Sequence, residues 1–211
     1  MKLIALLLAA IALPGAALAG DLSLTVRDTL GRPVANAVVT VYPAGGAPRA
    51  PARFPWPMTV SQHDLQFDPF VLVAPVGAVV AFPNQDKVRH HVYSFSAGNR
   101  FELKLYGREQ ARTVTFKAAG VAAIGCNIHD QMVGFIKVVD TPFAIKTGID
   151  GVALIPALPA GAATARVWHP SMRAKDNEIA VAVNLPAQGV LRHESRVEMR
   201  PNAPAQHQMK M

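Results

Sequence analysis

Cysteine is nearly absent from this 211-residue chain, where Cys126 stands alone. No intramolecular disulfide can form, which excludes a disulfide-stapled scaffold. Long apolar runs are missing beyond the first segment, and no later stretch reaches the ~20 residues that a membrane-spanning helix needs. Helical 3.6-residue periodicity is almost nowhere found. Basic residues outnumber acidic ones by 21 to 14, yet they are scattered, at Arg27, Arg32, Arg53, Arg100, Arg112, Lys146, Arg166 and Arg192. No basic run is interleaved with aromatics, so nucleic acid is a poor partner.

The apolar start reads differently. Met1-Lys2 gives a positive end, Leu3 to Leu13 an apolar core, and Ala17-Leu18-Ala19 a small-residue cleavage pattern. This is the form of a secretory signal cut after Ala19. Cleavage would remove Lys2, leaving 20 Lys and Arg against 14 acids, a net charge of +6. The expected mature protein is periplasmic, without stable membrane insertion. A single exported thiol is an oxidation liability unless something holds it, and a soft metal would.

With 17 prolines and 15 glycines, the chain is heavily punctuated. Between these breaks recur short β-branched and aromatic runs: 22–26, 38–42, 70–73, 78–82, 92–95, 101–105, 113–116, 135–139, 152–158, 166–169 and 179–183. Strands at such spacing indicate β-sandwiches, so the chain is expected to be all-β. The stretch Pro43–Pro57, with five prolines and a glycine pair, reads as a stiff linker rather than core. A second boundary falls at Asp140-Thr141-Pro142. Residues 201–211 are polar and proline-containing, the composition of a disordered tail.

Residues 22–42 contain a turn at Asp28 with Gly31-Arg32-Pro33, and residues 147–169 contain turns at Asp150-Gly151 and Leu158-Pro159-Ala160-Gly161. These segments resemble the two halves of a transthyretin-like carboxypeptidase regulatory domain. The resemblance implies a small sandwich built from residues 20–50 and 140–200, with residues 56–139 inserted as a second domain.

The chemistry lies at 125–132, GCNIHDQM. Cys126, His129 and Met132 stand at C-x2-H-x2-M between two runs of strand character. A turn of that length folds three side chains onto one metal. Thiolate and thioether are soft and imidazole is borderline, a set suited to copper cycling between Cu(I) and Cu(II). A trigonal His2Cys centre with a weak axial Met is blue-copper geometry, and it needs a second histidine. The candidates are His63, His90, His91, His169, His193 and His207.

Residues 79–95, VVAFPNQDKVRHHVYSF, carry Asn84 six residues before His90. Together with C-x2-H-x2-M this resembles the cupredoxins, amicyanin-like members above all, over roughly residues 58–139. Phe67-x-Pro69 and Val76–Phe82 are similar to the opening strands of that family. The resemblance implies a Greek-key β-sandwich holding one type 1 copper through His90, Cys126, His129 and Met132. It implies that the Asn84 side chain ties the two ligand loops together and that electrons leave through the exposed edge of His129. His91 stands where the family carries asparagine and competes with His90. Strand alternation sends the neighbours to opposite faces, and His90 keeps the family register.

Enzyme readings fare worse. A dinuclear copper centre needs two cysteines, multicopper oxidases need H-x-H pairs, and thioether is a poor zinc ligand. The expectation is an electron-transfer protein working with a redox partner such as a c-type cytochrome or a periplasmic dehydrogenase. Lys87 and Arg89 beside His90 would attract an acidic partner. The alternatives are a copper delivery or buffering protein, with His207, Met209 and Met211 capturing metal, and a scaffold module with a passenger copper domain.

Overall fold

The computed structural model describes residues 19–47, 52–108 and 110–201, so the expected signal segment up to residue 18 and the tail from residue 202 lie outside the described residues. The chain is all-β. Its first strands are β1 (Ala19–Asp28), β2 (Val38–Pro43), β3 (Ser61–His63), β4 (Gln66–Asp68), β5 (Val71–Pro75) and β6 (Val79–Phe82). Next come β7 (His90–Ser94), β8 (Phe101–Tyr106), β9 (Arg112–Thr115), β10 (Gly120–Cys126) and β11 (Val133–Val139). The last are β12 (Ala144–Lys146), β13 (Val152–Pro159), β14 (Gly161–Trp168), β15 (Glu178–Leu185) and β16 (Val190–Val197). Among the described residues the helical content is one 3-10 turn, Lys175–Asn177.

Two sets of sheets result, and sequence distance does not separate them. Strands from the two ends of the chain make the sheets β13-β1-β16 and β12-β2-β14-β15. In β1 the alternation is clean: Leu22, Leu24 and Val26 face inward between Ser23, Thr25 and Arg27. They meet Val39 and Val41 of β2 and Ala165 and Val167 of β14 in one buried cluster. Thr147 closes the seam between the ends, its hydroxyl accepting from the Ala37 N–H at 2.9 Å and donating to the Val34 carbonyl at 2.7 Å. The turn after β1 is held by Asp28, whose Oδ1 accepts from the Leu30 and Arg32 N–H groups at 2.9 and 2.8 Å.

The middle of the chain makes the five-stranded sheet β5-β11-β10-β7-β8 and the pairs β3-β4 and β6-β9. Phe67, Phe82, Val92, Tyr106, Phe116, Ile124 and Ile136 fill the core between them. Cys126 and Met132 belong to that same cluster.

A third cluster joins the two units. Phe70, Val71 and Val73 beside and on β5, with Val139 of β11, pack on Val38, Ala144 and Trp168. Hydrophobic residues on both faces of β5 explain its unbroken apolar run, since each face meets a core. Polar contacts seal the edges: Lys137 Nζ lies 2.8 Å from Glu178 Oε2, the Tyr42 hydroxyl 2.7 Å from Asp140, and Lys146 Nζ 3.2 Å from the Val71 carbonyl. The proline-rich stretch 43–57 is not linker throughout. Phe54 and Trp56 stack at 4.8 Å, and the Trp56 indole N–H donates to the Val73 carbonyl at 2.8 Å. Two aromatic rings outweigh the stiffness of the surrounding prolines and seat this segment on the core.

Two predictions follow from these contacts. Trp168 is 2% exposed and lies edge-on to Phe135. Trp168→Ala should cost roughly 3–5 kcal/mol in chemical denaturation, and a loss below about 1 kcal/mol would contradict the joint. His169 is buried beside it, with Nδ1 accepting from the Ser171 N–H at 3.1 Å. Burial lowers its pKa to about 4, against an opposing hydrogen bond to the Ala35 backbone. The folded state therefore binds this proton less well than the unfolded chain. Its contribution is intact above about pH 6.5 and is lost as pH falls toward about 4, on the order of 3 kcal/mol in all. Comparing His169→Asn with the parent protein in urea melts across that window should show a flatter pH dependence in the variant. Identical slopes would contradict the assignment.

Candidate metal centre

His90 opens β7, where the burial alternates strictly: His90, Val92 and Ser94 point inward, His91 and Tyr93 outward. Cys126 closes β10, and that strand meets β7 through the pairs Gly125↔Tyr93 and Cys126↔Val92. Both side chains thus enter the core from neighbouring strands. The six residues between β10 and β11 form a loop closed on itself, with Met132 N–H donating to the His129 carbonyl at 2.9 Å and Cys126 N–H to the Met132 carbonyl at 3.3 Å. This folds His129 back over the strand ends, while Asn127, Ile128, Asp130 and Gln131 stay exposed.

The outcome is a convergence of donors. Cys126 Sγ lies 3.8 Å from His90 Nδ1 and 3.7 Å from His129 Nδ1, and the three ligand atoms all lie within 4.8 Å of one another. Among the described residues this is the single cluster of its kind. His90 is fully buried, Cys126 is 3% exposed and Met132 1%, whereas His129 is partly exposed. A metal about 2.0–2.1 Å from imidazole nitrogen and about 2.3 Å from thiolate sulfur, at about 120°, separates sulfur from nitrogen by about 3.8 Å. The two observed sulfur–nitrogen spacings agree with that value. The donor set of one thiolate, two imidazoles and a buried thioether in the same core cluster fits a type 1 copper site.

Behind the cluster stands a residue the sequence reading passed over. Asp86 Oδ2 lies 2.8 Å from His90 Nε2, the ring nitrogen turned away from Cys126. The Asp86 carboxylate also accepts the backbone N–H groups of Asp64 at 2.7 Å and Leu65 at 3.2 Å. Burial raises the Asp86 pKa, but the His90 bond and the Leu65 and Asp64 N–H groups outweigh it and hold the carboxyl below its ordinary value. An acid four residues before a buried histidine was a readable signal.

The other histidines lie elsewhere. His91 faces away and pairs with Glu102 Oε1 at 2.9 Å. His63 sits between Asp64 and Asp68 at 3.5 and 3.3 Å. Burial lowers the His63 pKa, and its hydrogen bonds to Asp68 and Asp64 more than reverse this, so the net shift is upward. His169 is enclosed near the joint, His193 lies on β16, and His207 lies outside the described residues. Lys87 and Arg89 are exposed.

Asn84 departs from its expected role. Its amide donates to the Val88 carbonyl at 2.8 Å and to the Tyr106 carbonyl at 3.2 Å, and its Oδ1 accepts from the Asp86 N–H at 2.9 Å. It therefore braces the 84–88 turn against β8. The Cys126–Met132 loop is closed by its own backbone instead.

No family model matches the chain, and no curated protein does. Solved structures do. The chain is similar to a copper-containing nitrite reductase from Thermus scotoductus SA-01, 30% identical over 44% of this chain, with a TM-score of 0.38. It spans only 25% of that enzyme. It is 22% identical to a purple cupredoxin from Nitrosopumilus maritimus, over 38% of this chain and 98% of that one, with a TM-score of 0.35. A reduced amicyanin variant is 21% identical over 49% of this chain and 99% of its own, with a TM-score of 0.37. The structural neighbours of this chain are cupredoxins.

Proposed function

We propose that this protein is an exported electron carrier whose His90, Cys126, His129 and Met132 would hold one mononuclear type 1 copper. The observation that carries the reading is the approach of His90 Nδ1 and His129 Nδ1 to within 3.8 and 3.7 Å of a buried Cys126 Sγ. Bound copper would supply a one-electron Cu(I)/Cu(II) couple. The chain's own contribution is rigidity and enclosure. Cys126 and His90 are set by paired strands, so the donor positions need not rearrange between oxidation states. Burial keeps the Cys126 thiolate from oxidants. His129, the partly exposed donor, offers the edge through which a partner protein couples to the site.

Exposed Ile128 adjoins His129 in the chain, Val133 is exposed where β11 begins, and Lys87 and Arg89 lie exposed close to His90 in sequence. That surface suits a redox partner with an apolar centre and an acidic rim, such as a c-type cytochrome or a periplasmic dehydrogenase. Residues 56–139 we read as the cupredoxin domain, and residues 20–50 and 140–200 as the transthyretin-like sandwich that receives it. Pairing within each set of sheets, and none between them among the described residues, supports that division. Among those residues no helix is long and apolar enough to cross a membrane.

Titration of the purified protein with Cu(II) tests the function. One equivalent should give an intense blue or green thiolate-to-copper band, bleached reversibly by ascorbate and lost completely in Cys126→Ala. His90→Ala should lose the band and His91→Ala keep it. A colourless, readily exchanging Cu(I) complex would favour metal delivery instead, and absence of copper binding would leave a scaffold.

A further inference from the structure

The turn joining β3 to β4 holds none of the residues of the His90–Cys126–His129 cluster, yet its backbone is committed to Asp86, the partner of His90. His63 pairs with Gln66, so Asp64 and Leu65 form a two-residue hairpin loop, with φ of 52° and 57°. Positive φ at both positions is the type I′ geometry that normally selects Asn-Gly. A leucine there is an outlier, and strain of this kind persists where the surroundings impose it. Leu65 gains little by burial, since it is 46% exposed, and the Asp64 side chain is 92% exposed. What the conformation does achieve is to aim two consecutive N–H groups at one carboxylate, that of Asp86, at 2.7 and 3.2 Å. Consecutive amides so arranged form an anion-binding concavity. The hairpin is registered on the Asp86 turn by Gln62 N–H to the Pro83 carbonyl at 3.0 Å and Gln85 N–H to the Gln62 carbonyl at 2.8 Å.

We propose that the Asp64–Leu65 turn is the outermost layer of the metal centre: it seats Asp86, and Asp86 holds the His90 ring with Nδ1 toward Cys126 and strengthens it as a donor. The inference rests on the copper reading of that site. Asp86 accepts a hydrogen bond from Nε2–H, the tautomer that leaves the Nδ1 lone pair free for a metal. A carboxylate partner makes an imidazole a stronger donor, which favours the more highly charged Cu(II) over Cu(I). Asp86, Asp64 and Leu65 are positioning residues, acting through His90.

The test uses the full mature protein with Cu(II), reading Kd by competition with a chelator, the reduction potential, and the thiolate-to-copper band. Asp86→Asn keeps an acceptor but removes the charge. It should weaken Cu(II) binding by about 10–100-fold, raise the potential and shift the band. Asp86→Glu should restore part of each. Insertion of two glycines between Asp64 and Leu65, which displaces the N–H pair, should move all three readouts in the Asp86→Asn direction. Parent-like affinity, potential and band in Asp86→Asn would overturn the proposal. Parent-like values in the insertion would overturn the role of the turn. Should the parent protein itself lack the band, the copper reading fails rather than this one.

Discussion

Two residue pairs between β7 and β10 set the position of everything at the metal centre. Gly125 opposite Tyr93 and Cys126 opposite Val92 are the full extent of that ladder. They place the end of one strand beside the beginning of another, with His90 and Cys126 on the same inward face. Because side chains alternate, a slip of one residue would turn His90 out and His91 in, and would break the donor set outright. Gly125 is part of the constraint. A Cβ there would meet the tip of the Tyr93 ring at 3.0 Å, so that ring lies over the strand where no side chain stands in its way.

Several features protect this register. The five-stranded sheet is braced on its outer face at β5 and β11, where Phe70, Val71, Val73 and Val139 pack against Val38, Ala144 and Trp168. Left uncovered, those residues would form an apolar patch on the far side of the sheet that carries Cys126. The second sandwich thus supports the sheet without touching the site. Nearer the donors, Asn84 and Gln62 lace the turn before β7 to β8 and to the hairpin, and Gln62 donates to the Tyr106 hydroxyl at 2.8 Å. These buried donors favour one arrangement because breaking a buried hydrogen bond is costly, although Gln62 Oε1 itself has no partner among the described residues.

Much of this was legible in the sequence. Apolar alternation marked β1, and C-x2-H-x2-M marked the turn where three donors sit close in the chain. The all-β class followed from the punctuated β-branched runs. What escaped notice had weaker local signals. Of β10, GVAAIGC, only the run of strand character before Cys126 was legible, since its glycines and alanines give no clear start. β3 and β4 are three residues each and polar. β16, VLRHESRV, is charged because it pairs with β1 along one edge and faces water. The seating of Phe54 and Trp56 depends on a core formed by distant segments, which proline content cannot report. The acid four residues before His90 was readable, but the hairpin that seats Asp86 lies 21 and 22 residues away, and no periodicity encodes that contact.

The central claim is the proposal that Cys126, His90 and His129 would together hold one copper. Copper K-edge X-ray absorption on the loaded mature protein tests it most directly. The account predicts one short copper–sulfur distance with two nitrogen neighbours, little changed on reduction. A first shell of nitrogen and oxygen alone, or one that rearranges strongly between oxidation states, would contradict it.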